Sequence, residues 1–508
     1  MTTAVKRTFI SLATAALIVM LLTGCDRGSE NQAARNHNDT LRMSATTVFS
    51  SVDPHYVAQA ADFAVTGNLY EGFYDVDDLG NLTPRLATGY EISRDGLVYT
   101  YHLKSGVKWQ TGGDFTSADA LYSIARAQES PYTYDYVAGI ADVQAPDALT
   151  VVITLSSVSP VFETEINRVW FLNEAASKDL NTGFTNELPG GTGPYTISSW
   201  RPDSKIVLTR NPNYHGEPAP IGTIEITVFG DTNAALRAFE AGELDYIAVQ
   251  PSDWERIVNT GKYRTYVGDT ISVMFIGVNH QVAPFDDVRV RQAVNYAIDK
   301  EELILGAAEG LGEPASVIGN RNLVFGIPQP GEMFEYEYNP ERARQLLAEA
   351  GYPNGLTLTA PILTMSTAEL SIPTQVVQDQ LSKVGIHVEI RTVEQSALVQ
   401  DLILGNYTIA TMAIGLAVDA SMVTLVYRSN TINALNFARY SNTRVDTLFD
   451  QAGSTLDRQE RLRLYREAFD IVSREAAYVP LFSRQIGFAT DPDLESSVYT
   501  TFYDWYWN

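Results

Sequence analysis

A mixed α/β chain folded into two or more lobes is what this sequence predicts, and three observations predict it. Its 508 residues run well past the ~250 to 300 at which a single hydrophobic core stops growing. Helical patterns hand over to strand patterns across short glycine turns, as layered α/β lobes require. Apolar residues also alternate cleanly within several short segments, which is the period of a half-buried strand.

In chain order, Asp95-Gly96 predicts a turn, since Asp-Gly tolerates φ > 0, and LVYTYHL after it alternates Leu97, Tyr99, Tyr101 and Leu103. Thr116, with Asp119 three residues on, predicts a helix cap related to the capping box. LTVVITL repeats the strand pattern with Leu149, Val151, Ile153 and Leu155, while Trp109 and Trp200 in strand-like segments are expected in the core. GGTGPY, residues 190–195, lacks the Gly-Lys-Ser/Thr ending of a phosphate loop and leads into no helical pattern, so a tight turn is expected. DTNAALRAFEAGELDYIAV predicts a helix, a turn at Gly242, then a strand. FDDVRVRQAVNYAIDKEEL places Val290, Ala293, Val294, Ala297 and Ile298 on one helical face. NPERARQLLAEAGYPNG carries a full helix signature: Asn339 as cap, Pro340 in the first turn, a stripe of Ala343, Leu346, Leu347 and Ala350, and Gly351 as terminator. PTQVVQDQLSKVGIHVEIRTV predicts a helix, Gly385, then a strand alternating Ile386, Val388 and Ile390. No fixed-period repeat is present.

The only cysteine is Cys25, in LLTGCDRGSE. Lys6 and Arg7 precede an apolar run from Phe9 to Leu22, and small residues follow directly before the cysteine, which is the order of a secretory signal peptide over residues 1–24. The run is shorter than the ~20 residues a membrane-spanning helix needs. Leu-Thr-Gly-Cys resembles the lipobox of bacterial lipoproteins, which makes Cys25 the expected lipidation site and membrane anchor. Residues 25–40 lack apolar content and read as a lipidated flexible linker. No disulfide, thiolate metal site or cysteine nucleophile is then expected downstream.

Lys and Arg number 36 against 61 Asp and Glu, a formal charge of −25, and losing Lys6 and Arg7 leaves 34 against 61, or −27. That balance argues against nucleic acid as a partner. His37, His55, His102, His215, His280 and His387 are scattered, none paired at i, i+4, so neither a metal site nor a cofactor is expected. No Gly-x-Ser-x-Gly elbow occurs. Carboxylates are numerous enough that counts alone leave a two-acid hydrolase open.

The segment NLYEGFYDVDDLGNLTPRLATGYEISRDGLVYTYHLKSGVKWQTGGDFTSADALYSIAR, from Asn68 to Arg126, resembles the signature region of the oligopeptide- and dipeptide-binding proteins of ABC importers (solute-binding family 5). GTGPYTISSWRPDSKIVLTRNPNYHG, FIGVNHQVAPFDDVRVRQAVNYAIDKEELI, YNPERARQLLAEAGYPNGL and RLYREAFDIVSREAAYVPLF continue the resemblance in the same order. It implies a bilobed α/β fold of the periplasmic-binding-protein type (type II, cluster C), with an extra subdomain and a two-segment hinge. By similarity lobe I comprises 41–60, 190–272 and 481–508, the subdomain 61–189, and lobe III 273–480. The hinge would lie near TISVMFIGVN and YVPLFSRQIGF.

The resemblance also implies a monomeric receptor that closes on a peptide ligand and docks on membrane permease subunits. Asp419, in AIGLAVDASMV, matches the position where relatives keep an aspartate for the ligand ammonium. The same residue, interrupting an apolar run, is also suited to capping a local turn. Leu416 stands where a tryptophan is usual, and no arginine lies between Arg391 and Arg428 to meet a peptide carboxylate. Three readings follow: peptide capture for import; the same fold carrying a nickel chelate, a sugar or a signalling peptide; and a surface hydrolase using paired carboxylates.

Overall fold

The computed structural model describes residues 39–57, 60–76, 81–184, 188–416 and 419–494. Residues 1–38, with Cys25, His37 and most of the expected linker, lie outside them; the linker's expected end at residue 40 overlaps the first strand, which begins at Thr40. No helix among the described residues is long and apolar enough to cross a membrane.

Lobe I is built on a four-stranded sheet. In it β1 (Thr40–Ala45) pairs in parallel with β8 (Thr223–Val228), followed by β7 (Lys205–Arg210) and β6 (Tyr195–Arg201). Leu41, Met43, Ile206, Leu208, Ile224 and Ile226 bury one face against α1 (Ala60–Leu69) and its neighbours. The expected turn at 190–195 packs directly on the end of α1. A Cβ on Gly191 would stand 1.7 Å from the Leu69 carbonyl oxygen, and that same oxygen accepts from the Gly193 N–H at 2.9 Å. These glycines serve close backbone approach rather than a phosphate.

The subdomain has its own four-stranded antiparallel sheet of β2 (Ala87–Ile92), β3 (Val98–Leu103), β5 (Thr150–Leu155) and β4 (Ile140–Asp147), in that spatial order. Tyr99, Tyr101, Val151 and Ile153 are buried as their alternation requires, under α2 (Ser117–Glu129) and α3 (Phe162–Glu165). The capping box forms at the start of α2, with the Thr116 N–H donating to Asp119 Oδ2 at 2.9 Å. Gly96 takes φ +72° in the turn joining β2 and β3. Trp109 is buried, whereas Trp200 is only partly so.

One seven-stranded sheet carries the chain between lobes, in the order β9 (Tyr246–Val249), β14 (Val479–Thr490), β10 (Arg264–Val278), β13 (Ile409–Gly415), β11 (Ile362–Thr364) and β12 (Ile390–Thr392), with the short strand Gly312–Pro314 also on β14. Along β10, Met274, Ile276 and Val278 face one core while Phe275 faces another, so in lobe III the sheet is covered on both sides. Helices α5 (Val288–Ala297), α6 (Lys300–Ala308), α7 (Pro340–Glu349) and α8 (Ala368–Lys383) cover the first face. On the second lie α9 (Gln395–Leu404), α10 (Ala420–Thr424) and α11 (Arg458–Arg474). In lobe I, α4 (Thr232–Glu240) precedes β9 through Gly242 at φ +74°.

One expected strand is divided. The alternation over 386–390 is real, with Ile386 and Val388 buried. However, Ile386–His387 pairs with Leu356–Thr357, while β12 pairs with β11 in the large sheet. A side-chain period fixes which face is buried and leaves the pairing partner open.

Candidate functional site

Pairing registers locate a crevice between the lobes. Val249, the last residue of β9, pairs with Gly487 of β14, which pairs with Val267 of β10. From the other lobe Gly415, the last residue of β13, pairs with Ser272 of β10. The carboxyl ends of β9 and β13 therefore face one another across a register break between Asp269 and Val273. Strands β11 and β12 run parallel to β13 and end on the same edge. In open α/β sheets the outside of such carboxyl ends is where ligands bind.

The floor at the register break is polar and fully bonded. Asp269 accepts from Asn322 Nδ2 at 2.8 Å and from Gln485 Nε2 at 2.9 Å. Asn320 Nδ2 donates to the Thr270 carbonyl at 2.8 Å, and Thr270 Oγ1 donates to the Arg484 carbonyl at 3.0 Å. Arg484 pairs with Glu369 in the first turn of α8. On the lobe I side Ser44, Thr46, Thr232, Tyr246 and Gln250 line a cavity of about 70 Å³ at the ends of β1 and β9. On the lobe III side Glu394, Gln395, Ser396, Val399 and Ile403 border an open groove of about 720 Å³ that starts at the end of β12.

Asp419 lies on the same lobe III edge, as the N-cap of α10. Its Oδ1 accepts from the Ser421 N–H at 2.8 Å, so the local cap is formed. Its carboxylate also receives Arg461 Nη2 of α11, 2.9 Å from both oxygens. Both side chains are buried, 6% exposed for Arg461 and 13% for Asp419. Phe325 completes the arrangement: its carbonyl accepts from the Ala420 N–H at 2.8 Å, and its ring lies under the guanidinium groups of Arg458 and Arg461, 4.1 and 5.1 Å from the centroid. Arg461 Nη1 reaches the Pro160 carbonyl of the subdomain at 3.4 Å. Glu165 of α3 is pushed up to about 7, first by burial and then by the Asp419 charge.

Arg461, Phe325 and Glu165 were not legible as site residues. Arg461 sits two residues before the RLYREAF stretch, where its spacing reads as one more charge on a helix. The histidines among the described residues do not converge. His55 is buried with Nε2 donating to the Trp170 carbonyl, and burial together with the Arg126 charge lowers it to about 4. His280 likewise donates to the Ala477 carbonyl and burial lowers it to about 3. Among the described residues no three of His, Cys, Asp and Glu come together as a metal site would require.

Two lobes joined by paired strands, with a crevice at opposed strand ends, define a two-lobed binding protein. The family model of the bacterial extracellular solute-binding proteins, family 5 (middle region), matches residues 81–433. Heme-binding protein A of Haemophilus influenzae is 27% identical, with 94% of each chain covered. Glutathione-binding protein GsiB of Salmonella paratyphi A is 29% identical, covering 85% of this chain and 86% of that one. The solved structure of HbpA2 from Haemophilus parasuis superposes with a TM-score of 0.81 at 24% identity, covering 89% of this chain and 96% of that one. The chain belongs to the bacterial extracellular solute-binding proteins, family 5: an extracytoplasmic component of ABC importers, whose relatives are transport components rather than enzymes.

Proposed function

We propose that this chain captures a short peptide or peptide-like solute in the crevice between its lobes and delivers it to the permease of an ABC importer. The observation that carries solute capture is the family match over residues 81–433, which takes in most of the subdomain and much of lobe III, Asp419 among them; the peptide-like cargo is the finer part of the proposal. Glutathione, named for one relative, is itself a tripeptide. An extended peptide excluded from water must satisfy its own N–H and C=O groups, which free strand edges and loop backbone can do. Asp419 is the proposed contact for the ligand amine, using lone pairs left over by Ser421 and Arg461. A tetrapyrrole is the second cargo to consider, because the match to heme-binding protein A runs over 94% of both chains.

Native mass spectrometry of protein purified with its cargo, followed by calorimetry against glutathione, di- and tripeptides and haem, separates the two. A peptide-sized adduct is expected. Stoichiometric haem binding with no response to any peptide would replace the first reading by the second.

The chain is further proposed to be tethered through a lipidated Cys25. Cys25→Ala should yield folded protein that leaves the membrane fraction, since the lipid and not the protein surface would supply the attachment. Membrane partitioning of the variant equal to that of the wild type would remove the anchor.

A further inference from the structure

One cluster of ionisable side chains has no part in solute capture as described, and it lies where the subdomain meets lobe I. Glu71 follows α1, Lys104 follows β3, and Tyr214 and His215 sit in the loop after β7. His215 Nε2 donates to Glu71 Oε2 at 2.7 Å, with the two side chains 10% and 6% exposed. The Tyr214 hydroxyl donates to the other carboxylate oxygen at 3.0 Å, and Arg85, paired with Asp75 at 2.6 Å, stands 3.5 Å from that hydroxyl. With its Nε2–H given to the carboxylate, His215 keeps Nδ1 as an acceptor. Facing that nitrogen, at 3.2 Å, is Lys104 Nζ. Lys104 is half-buried. Among the described residues no carboxylate pairs with it, whereas Lys108, Lys205 and Lys383 each have one. Lys104 Nζ and His215 Nδ1 thus hold one proton between them. On Nζ it leaves an inert cation; on Nδ1 it leaves an amine with a free lone pair, beside an imidazolium that Glu71 holds.

We propose that Lys104 is a base-assisted amine and a site of covalent acylation by small activated acyl donors of the acyl phosphate class. One ammonium proton crosses to His215 Nδ1 and passes on to solvent. The lone pair so freed bonds the acyl carbon, and the bond from that carbon to the phosphate oxygen breaks with its electron pair going to the oxygen. A second proton shed by the nitrogen ends on the departing phosphate, and the third stays on the amide. His215 is the base, Glu71 fixes its tautomer and holds the imidazolium, and Tyr214 positions Glu71. The product carries no charge at Nζ, so acylation removes the cation that faces His215 at the junction of subdomain and lobe I. Cargo identity has no bearing on this chemistry, because none of these groups belongs to the crevice.

Acetyl phosphate is the probe. Peptide mapping by mass spectrometry, on protein incubated with it near neutral pH, reads the acetylation rate of each lysine. Lys178 and Lys262 are exposed and serve as ordinary amines in the same sample. A purely structural hydrogen bond would make the half-buried Lys104 slower than either. With base assistance it should be about tenfold faster, at or below the lower end of what a positioned base contributes. His215→Asn should bring Lys104 down to or below the rate of Lys178 and Lys262. Glu71→Gln should lower it several-fold, since an amide holds an imidazolium poorly, while Tyr214→Phe should leave most of the advantage. Thermal melting identifies which variants are folded, and the comparison of lysines within the wild type stands without them. Lys104 reacting no faster than Lys178 and Lys262 would overturn the assignment. So would an undiminished rate in folded His215→Asn.

Discussion

Arg461→Met should cost about 3–5 kcal/mol of stability, the range for stranding one member of a buried ion pair. The loss arises on the partner: Asp419 would keep only the Ser421 N–H at 2.8 Å, its carboxylate still buried with no counter-charge. Lost packing is small by comparison, since methionine fills much of the same volume beside Phe325 and Tyr465. The double variant Arg461→Met/Asp419→Asn should therefore recover most of the loss, because an amide in place of the carboxylate removes the stranded charge while still accepting the cap bond. Urea unfolding of the ligand-free protein measures both. Simple addition of the two single losses in the double variant would show that the pair is not energetically coupled.

Asp419→Asn should weaken binding of peptides with a free amine by about 2–5 kcal/mol, the range for removing one side of a desolvated charge contact. N-acetylated peptides of the same sequence should lose far less. The comparison matters because the substitution also leaves Arg461 without its anion, which disturbs the closed protein for every ligand alike. Taking free and acetylated peptides in the same variant cancels that shared penalty. Equal losses by calorimetry would leave Asp419 as a cap and ion-pair partner only.

Local structure was legible in the sequence wherever the determinants sit within one turn or one strand. Asn339 caps its helix, accepting from the Arg342 N–H at 2.9 Å, and Ala343, Leu346 and Leu347 are buried as their spacing requires. Thr116 and Asp119 form the capping box that their spacing predicts. The cap formed by Asp419 belongs to this class too. Its partner Arg461 is 42 residues away and Glu165 belongs to another body of the fold, and no spacing rule links charges brought together only by tertiary structure. The division of 386–392 between two sheets was hidden for a related reason. The Glu389 carbonyl accepts from the Ile362 N–H, a choice made by the arrangement of β11 and not by residues near Glu389.

The crossing between lobes has a mechanical consequence. The two connections, β10 and β14, are adjacent strands hydrogen-bonded on both sides of the break between Asp269 and Val273. Such a ribbon flexes out of its own plane at little cost, since backbone dihedrals change while the rungs persist, but sliding one strand along the other would sever rungs wholesale. The movement that keeps the rungs is therefore an opening like that of a book on its spine, while sliding of one cover along the other is resisted. A solute that touches both covers bears on that opening, and anything contacting both covers at once reads it, however varied the chemistry of what lies between the pages.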